Sequence, residues 1–218
     1  EIESTGSKII ATIFTHKHPD HIGNLIEISK IYRAPIWASK ETLEIIPKCE
    51  TDKILKEGDI FELNYEDESV YWKIMETHGH CPGHICLAGD AGIVSGDNVA
   101  VIGTILVPSS DGDMNQYLDG LERMKNLNPP LLFPGHGPFS ANPQRLLNRY
   151  INHRSKRHQA VYDAVKSNYI NLELIAEKAY EDSPDAHPIL LIDQTLSHLK
   201  GHIKSGKIKK INNEYFLK

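Results

Sequence analysis

Four potential metal ligands fall within six residues in Thr15-His16-Lys17-His18-Pro19-Asp20-His21, and no other feature limits the fold of this chain as strongly. On an extended strand end, residues i and i+2 point the same way, so His16 and His18 can grip one metal. Asp20 and His21 fall in the turn that follows, one step away, where they can reach a second. The apolar run Ile9-Ile10-Ala11-Thr12-Ile13-Phe14 before the motif reads as a buried strand, and a helical pattern starts near Ile22. A strand, a ligand-bearing loop and a helix in succession suit a dinuclear zinc site.

Two metals need more ligands than this run supplies, and further candidates follow. Thr77-His78-Gly79-His80-Cys81-Pro82-Gly83-His84 comes after the strand-like Val70–Ile74. Ser95-Gly96-Asp97 ends the strand-like Ala91–Val94. Leu131-Leu132-Phe133-Pro134-Gly135-His136-Gly137 repeats the plan of apolar strand, tight loop and histidine. Each cluster sits where a strand ends and a glycine-rich turn begins, which is where a rigid sheet presents ligands. His187, His198, His202, His153 and His158 lie outside this pattern and read as ordinary surface or core residues.

The rest of the chain divides in two. Residues 1–143 alternate strands and helices. Leu25–Tyr32 is a helix ended before Ala34-Pro35, Ile36–Ala38 a short strand, and Lys40–Ile46 a helix stopped by Pro47. Ile54–Leu63 holds a Gly58-Asp59 turn between short strands. Asn115–Leu127 is a helix with Tyr117, Leu118, Leu121 and Met124 at helical spacing, broken by Pro129-Pro130. Residues 144–218 change character. Helices are expected over Gln144–Ser167, Asn171–Tyr180 (Asn171 as N-cap) and Ile189–Ser205. Asn212-Asn213 between two alternating runs reads as a hairpin turn. Three helices and a hairpin make a small winged-helix domain.

Charge divides the same way. Thirteen Lys and Arg stand against 21 Asp and Glu up to Tyr150, and 11 against 8 from Ile151 onward, so the tail is mildly basic. Lys200, Lys204, Lys207, Lys209 and Lys210 cluster on the third helix and hairpin, where they suit either phosphate contact or a solvated helix end. No apolar run approaches the roughly 20 residues that span a bilayer, so no membrane partner is expected. The three cysteines, Cys49, Cys81 and Cys86, are too few and too odd for a disulfide framework. They point to a reducing intracellular setting, and the choice between cytoplasm and mitochondrial matrix is not legible in the sequence.

The ordered motifs resemble the metallo-β-lactamase superfamily, with its H-x-H-x-D-H run, G-H-[TS], an Asp after a strand and a last His in a glycine-rich loop. The resemblance implies an αββα sandwich of α/β (α+β) class. It implies that His16, His18 and His80 hold one zinc, that Asp20, His21 and His136 hold a second, and that Asp97 bridges the two together with a hydroxide. Asp20 would orient that hydroxide and carry a proton. His84, four residues after His80, would stand behind the ligands or line the substrate pocket, and Cys81 takes a place usually held by Thr or Ser. Diiron flavoprotein members carry Glu where His18 stands, so a His there favours zinc and hydrolysis. The superfamily also places several strands and an Asp-Thr-Gly turn before the first motif. Only about eight residues come first here, so an N-terminally incomplete sandwich is expected.

Phe133–Pro138, the run Tyr150-Ile151-Asn152-His153-Arg154-Ser155-Lys156-Arg157 and the terminal winged helix are similar to one subgroup, the β-lactamase-like 2 endoribonucleases. That resemblance implies cleavage of single-stranded RNA by the metal-bridging hydroxide, with Arg145, Arg149 and Arg154 steering the RNA backbone. A glyoxalase II-type thioesterase shares all seven ligands and is the alternative, with a small thioester as substrate. A nucleic-acid-binding module without turnover is a third. Oligomeric state is not legible in the sequence.

Overall fold

The computed structural model describes residue 4 and residues 6–47, 52–65 and 68–218, so Cys49 lies outside the described residues. Three short parallel strands, β1 (Thr12–Ile13), β2 (Ile36–Ala38) and β3 (Lys53–Ile54), form one sheet. A single helical turn, α1 (Pro19–Ile22), and a longer helix, α2 (Leu25–Tyr32), connect β1 to β2, and α3 (Lys40–Leu43) follows β2. Within the expected strand Ile9–Phe14, Thr12 and Ile13 stand in register with β2, and the Phe14 amide adds a bond to the Trp37 carbonyl.

The second sheet runs in the order β4 (Ile60–Tyr65), β5 (Glu68–Glu76), β6 (Ile85–Gly89), β7 (Gly92–Gly96) and β8 (Leu132–Pro134). It is antiparallel up to β7, and β8 joins β7 in parallel. A parallel step needs a crossover, and α4 (Met114–Asn126) supplies it. Asp113 caps that helix by accepting from the amides of Asn115 and Gln116.

Strand alternation sorts the side chains into layers. Ile74, Ile85 and Leu87 face one way and pack with Leu55, Ile13 and Trp37 between the two sheets. Their neighbours Met75 and Cys86 face the other way, with Ile93 and Leu132, onto Tyr117, Leu121 and Met124 of α4. Phe14, Ile36 and Ala38 pack against Leu25, Leu43 and Ile46 on the outer side of the first sheet. The result is the helix–sheet–sheet–helix order expected from the sequence.

The C-terminal stretch forms α5 (Pro143–Lys166), α6 (Leu172–Ala179), α7 (Pro188–Lys204) and an antiparallel hairpin of β9 (Ile208–Ile211) and β10 (Glu214–Leu217). Asn171 accepts from the Leu174 amide and caps α6. Asn212 and Asn213 both take left-handed φ, 48° and 69°, as a two-residue hairpin loop requires. The long helix α5 serves two cores. Leu146, Leu147, Tyr150 and Ile151 pack with α4, whereas Val161, Ala164 and Val165 pack with Ile175, Leu199, Ile208 and Tyr215.

Candidate metal centre

The carboxyl ends of four strands converge on one spot. The segment after β1 carries His16 and His18, and α1 carries Asp20 and His21 on its single turn. The connection from β5 to β6 carries His80, the turn after β7 carries Asp97, and the turn after β8 carries His136. His18 Nδ1 lies 2.9 Å from His80 Nε2, and the His16 ring centroid is 4.8 Å from that of His18 and 5.0 Å from that of His80. On the other side, His21 Nε2 lies 3.3 Å from His136 Nε2, and His136 Nε2 lies 3.1 Å from Asp20 Oδ2. Asp97 stands between the groups. Its Oδ1 is 3.3 Å from His21, and its Oδ2 is 3.5 Å from His136 and 3.8 Å from His80. All seven residues singled out in the sequence therefore meet. The His16 half is buried, whereas Asp20 and His136 keep 57% and 50% of their side chains exposed, so the cluster opens to solvent on their side.

The chemistry of this cluster calls for a cation. His80 Nδ1 lies 2.8 Å from the Leu106 carbonyl, to which it donates, so Nε2 turns a lone pair inward. His16 is fully buried, its Nδ1 is 3.1 Å from Thr15 Oγ1, and its Nε2 has no hydrogen-bond partner. Asp97 Oδ1 is likewise buried without an aligned donor. Burial, reinforced by the surrounding imidazoles, holds the His16 pKa far below its ordinary value, and burial lowers that of His80. His21 is shifted up by its contact with the Asp97 carboxylate. Burial alone would raise Asp97, but His21, His80 and His136 outweigh it and hold the carboxyl below its usual range. Neutral imidazoles and a carboxylate crowded together with orphaned acceptors are costly without a positive charge. Three overlapping donor sets have ligand atoms within 4.8 Å of one another: His16, His18, His80 and Cys81; His16, His21 and Asp97; and Asp20, His21 and His136. A metal fits here.

Neighbouring groups fix these ligands in place. Asp111 Oδ2 pairs with Lys17 at 3.2 Å and stands 3.8 Å from His18 Nε2, the nitrogen turned away from the cluster. No local pattern marks Asp111, since its loop lies about ninety residues from His18 and carries no ligand spacing. His84 is fully buried and accepts from the Asp97 amide at Nε2, 3.0 Å away. That bond leaves Nδ1 as the protonated nitrogen, 2.8 Å from Thr77 Oγ1, which in turn accepts from Asn98 Nδ2. Burial pushes His84 down to about 3, so it stays neutral. A Cβ on Gly135 would sit 2.6 Å from Asp97 Oδ1 and 2.7 Å from His21, so only glycine lets β8 end this close to both ligands.

Two further sequence expectations take a different form. His84 has both ring nitrogens engaged inside the protein and reaches no substrate surface. Arg154 is 3% exposed, and its guanidinium donates to Gln194 Oε1, Thr104 Oγ1 and the Ile105 carbonyl. Its place on a helix otherwise rich in exposed basic residues suggested a substrate contact. Tertiary packing of the 104–105 loop and α7 turns it into an internal fastener. His158, His198 and His202, read as ordinary, meet between α5 and α7, with the rings of His158 and His202 stacked at 3.6 Å. The described residues contain no helix long and apolar enough to cross a membrane.

Comparison with known proteins agrees with this geometry. A profile of the Metallo-beta-lactamase superfamily matches residues 1–136. The chain is 27% identical to a Beta-lactamase-like protein 2 homolog of Caenorhabditis elegans over 99% of its own length and 72% of that protein. It is 31% identical to a Hydroxyacylglutathione hydrolase of Bdellovibrio bacteriovorus, but over only 57% of the chain and 47% of that enzyme. Its fold is similar to that of a Beta-lactamase domain protein from Burkholderia ambifaria, with TM-score 0.75, 19% identity, and coverage of 98% of this chain and 76% of that one.

Proposed function

Because the chain belongs to the metallo-beta-lactamase superfamily, we propose that it is a zinc-dependent hydrolase that cleaves single-stranded RNA. His16, His18 and His80 would hold one zinc, Asp20, His21 and His136 a second, and Asp97 would reach both. Bound zinc would lower the pKa of a water molecule to about 7, supplying hydroxide at neutral pH, and would offset charge on phosphoryl oxygens. Asp20 stands at the solvent-facing edge, where its carboxylate can orient the attacking oxygen and take a proton at Oδ2. His84 and the Thr77–Asn98 pair keep the Asp97 backbone fixed while this happens.

One observation carries the choice of substrate class. Similarity to the Beta-lactamase-like protein 2 homolog runs through the C-terminal helices and hairpin, whereas similarity to the glutathione thioester hydrolase covers little more than half the chain. Residues 144–218 would then act as a winged-helix-like domain that grips the RNA backbone. Lys200 and Lys204 turn back onto the catalytic part, to the Ser109 carbonyl and Asp113. Lys207, Lys209 and Lys210 are exposed at the hairpin and supply the charge that phosphates need.

The test is a side-by-side assay of zinc-loaded protein on an unstructured RNA and on a glutathione thioester. RNA cleavage abolished by Asp20→Ala and by His80→Ala supports the proposal. Cleavage that persists in both variants would remove it. Fast thioester turnover with intact RNA would favour the second reading, acyl-thioester hydrolysis, which the 31% identity to the Bdellovibrio enzyme keeps in view.

A further inference from the structure

We propose that Cys81 is a protein ligand of the buried metal, completing a three-histidine, one-thiolate set with His16, His18 and His80. The inference rests on the metal-binding reading above and adds a donor to it. The nitrogen donors of the three histidines and Cys81 Sγ lie within 4.8 Å of one another. Cys81 and His16 are fully buried, and His80 is 4% exposed, so solvent supplies little competition on this side. His16 Nε2 is a second, independent pointer, because it is buried within the same group without a partner. A tetrahedral zinc with bonds of about 2.0–2.1 Å to nitrogen and about 2.3 Å to sulfur spaces its donors by about 3.5 Å, within reach of small side-chain rotations from the arrangement seen.

The other described cysteine has different company. Cys86 is buried against Thr77, Asn98 and the Ser95 carbonyl, on the helix-facing side of β6. Cys81 instead follows His80 directly and faces the cluster. On binding, the thiol gives its proton to solvent and the sulfur forms a bond to the ion as thiolate.

With the Asp97 carboxylate that reaches both halves, three imidazoles and a thiolate would leave little room for a water on the buried ion. Open coordination then belongs to the solvent-facing half, where Asp20 and His136 are exposed. A soft sulfur donor also biases the buried position towards zinc and away from manganese or magnesium.

X-ray absorption at the zinc edge tests this without reference to turnover. Zinc-loaded full-length protein should show a sulfur scatterer at about 2.3 Å, with roughly half a sulfur per zinc at two zincs bound. Cys81→Ser, checked for folding by circular dichroism, should lose it, while Cys86→Ser keeps it. In the cobalt-substituted protein a thiolate-to-metal charge-transfer band should vanish in the same variant. Zinc bound through nitrogen and oxygen alone overturns the inference and leaves the proposed hydrolase intact. A sulfur signal that survives Cys81→Ser also overturns it. Protein that takes up no zinc overturns both readings. Since the wild-type spectrum alone reports sulfur, a variant that fails to fold does not rescue the claim.

Discussion

Replacing His84 with leucine isolates a contact on which the candidate centre depends. The side chain is fully buried and gives the Asp97 amide its acceptor at 3.0 Å. Leucine is of similar size, so little cavity forms, but the buried amide is left without a partner. An orphaned donor of this kind costs about 1–3 kcal/mol. For a chain of this length each kcal/mol corresponds to about 2–4 °C in melting temperature, so the metal-free variant should melt about 2–12 °C lower. Thr77 Oγ1 keeps its bond from Asn98, so the loss should stay near the single-donor value. The consequence for metal is larger than for folding. Loosening Asp97 releases the residue that touches both halves of the cluster, and zinc affinity should fall about 10- to 100-fold, as it does when a supporting hydrogen bond is removed elsewhere. Calorimetry of metal-free protein and zinc competition against a chromophoric chelator measure the two effects separately. His84→Gln, which can present an amide oxygen to the same N–H, should recover part of both. Unchanged melting together with unchanged zinc affinity in His84→Leu would refute the reasoning, because it would mean the Asp97 amide needs no partner there.

Four other outcomes follow from the same structure. Gly135→Ala places a Cβ 2.6 Å from Asp97 Oδ1, so zinc affinity should drop at least about tenfold, with little change in metal-free melting since Gly135 is exposed; chelator competition checks it. Arg154→Met leaves the Ile105 carbonyl without its buried donor and Gln194 Oε1 with the Val107 amide alone, and should cost about 1–3 kcal/mol in urea unfolding, while any RNA affinity of the folded protein stays the same. Burial lowers the His158 pKa to about 4 from an unfolded value of 6.5, so the unfolded chain binds the proton first as acid is added. Its contribution to stability is therefore full above pH 6.5 and is lost progressively down to about pH 4; the urea midpoint of metal-free protein should fall through that window, and less steeply in His158→Gln. Finally, each Lys to Ala change at Lys207, Lys209 or Lys210 should weaken RNA binding evenly across sequences and reduce the salt slope by about one, measured by fluorescence anisotropy at several ionic strengths.

The candidate centre was legible because its signals are local. His16, His18, Asp20 and His21 sit at strand-end spacing, and His80, Asp97 and His136 each follow an apolar strand with a glycine beside them. The hairpin was legible for the same reason, since Asn212-Asn213 is a backbone signal that needs no distant partner. What escaped was tertiary. β6 is a five-residue run, Ile-Cys-Leu-Ala-Gly, whose small residues blur the alternation that would mark a strand. Arg154 looks like any exposed helix arginine until the 104–105 loop and Gln194 close over it. His84 has the spacing of a ligand, and only the fold reveals that Asp97, thirteen residues on, claims its free nitrogen through the backbone. Asp111 reaches His18 from a loop with no periodicity to announce it.

The double duty of α5 sets a rule for anyone recombining this protein with a relative. A crossover at Asn142 would strip Leu146, Leu147, Tyr150 and Ile151 from the layer that covers Tyr117 and Met124, and the donor half would have to regrow that lid from foreign sequence. A splice placed on the turns of α5 between Ile151 and Val161 leaves each hydrophobic cluster with its native contributors. Chimaeras joined there should keep both clusters intact, provided the helical phase of α5 is preserved across the seam and the contacts of α7 to Ser109 and Asp113 are matched.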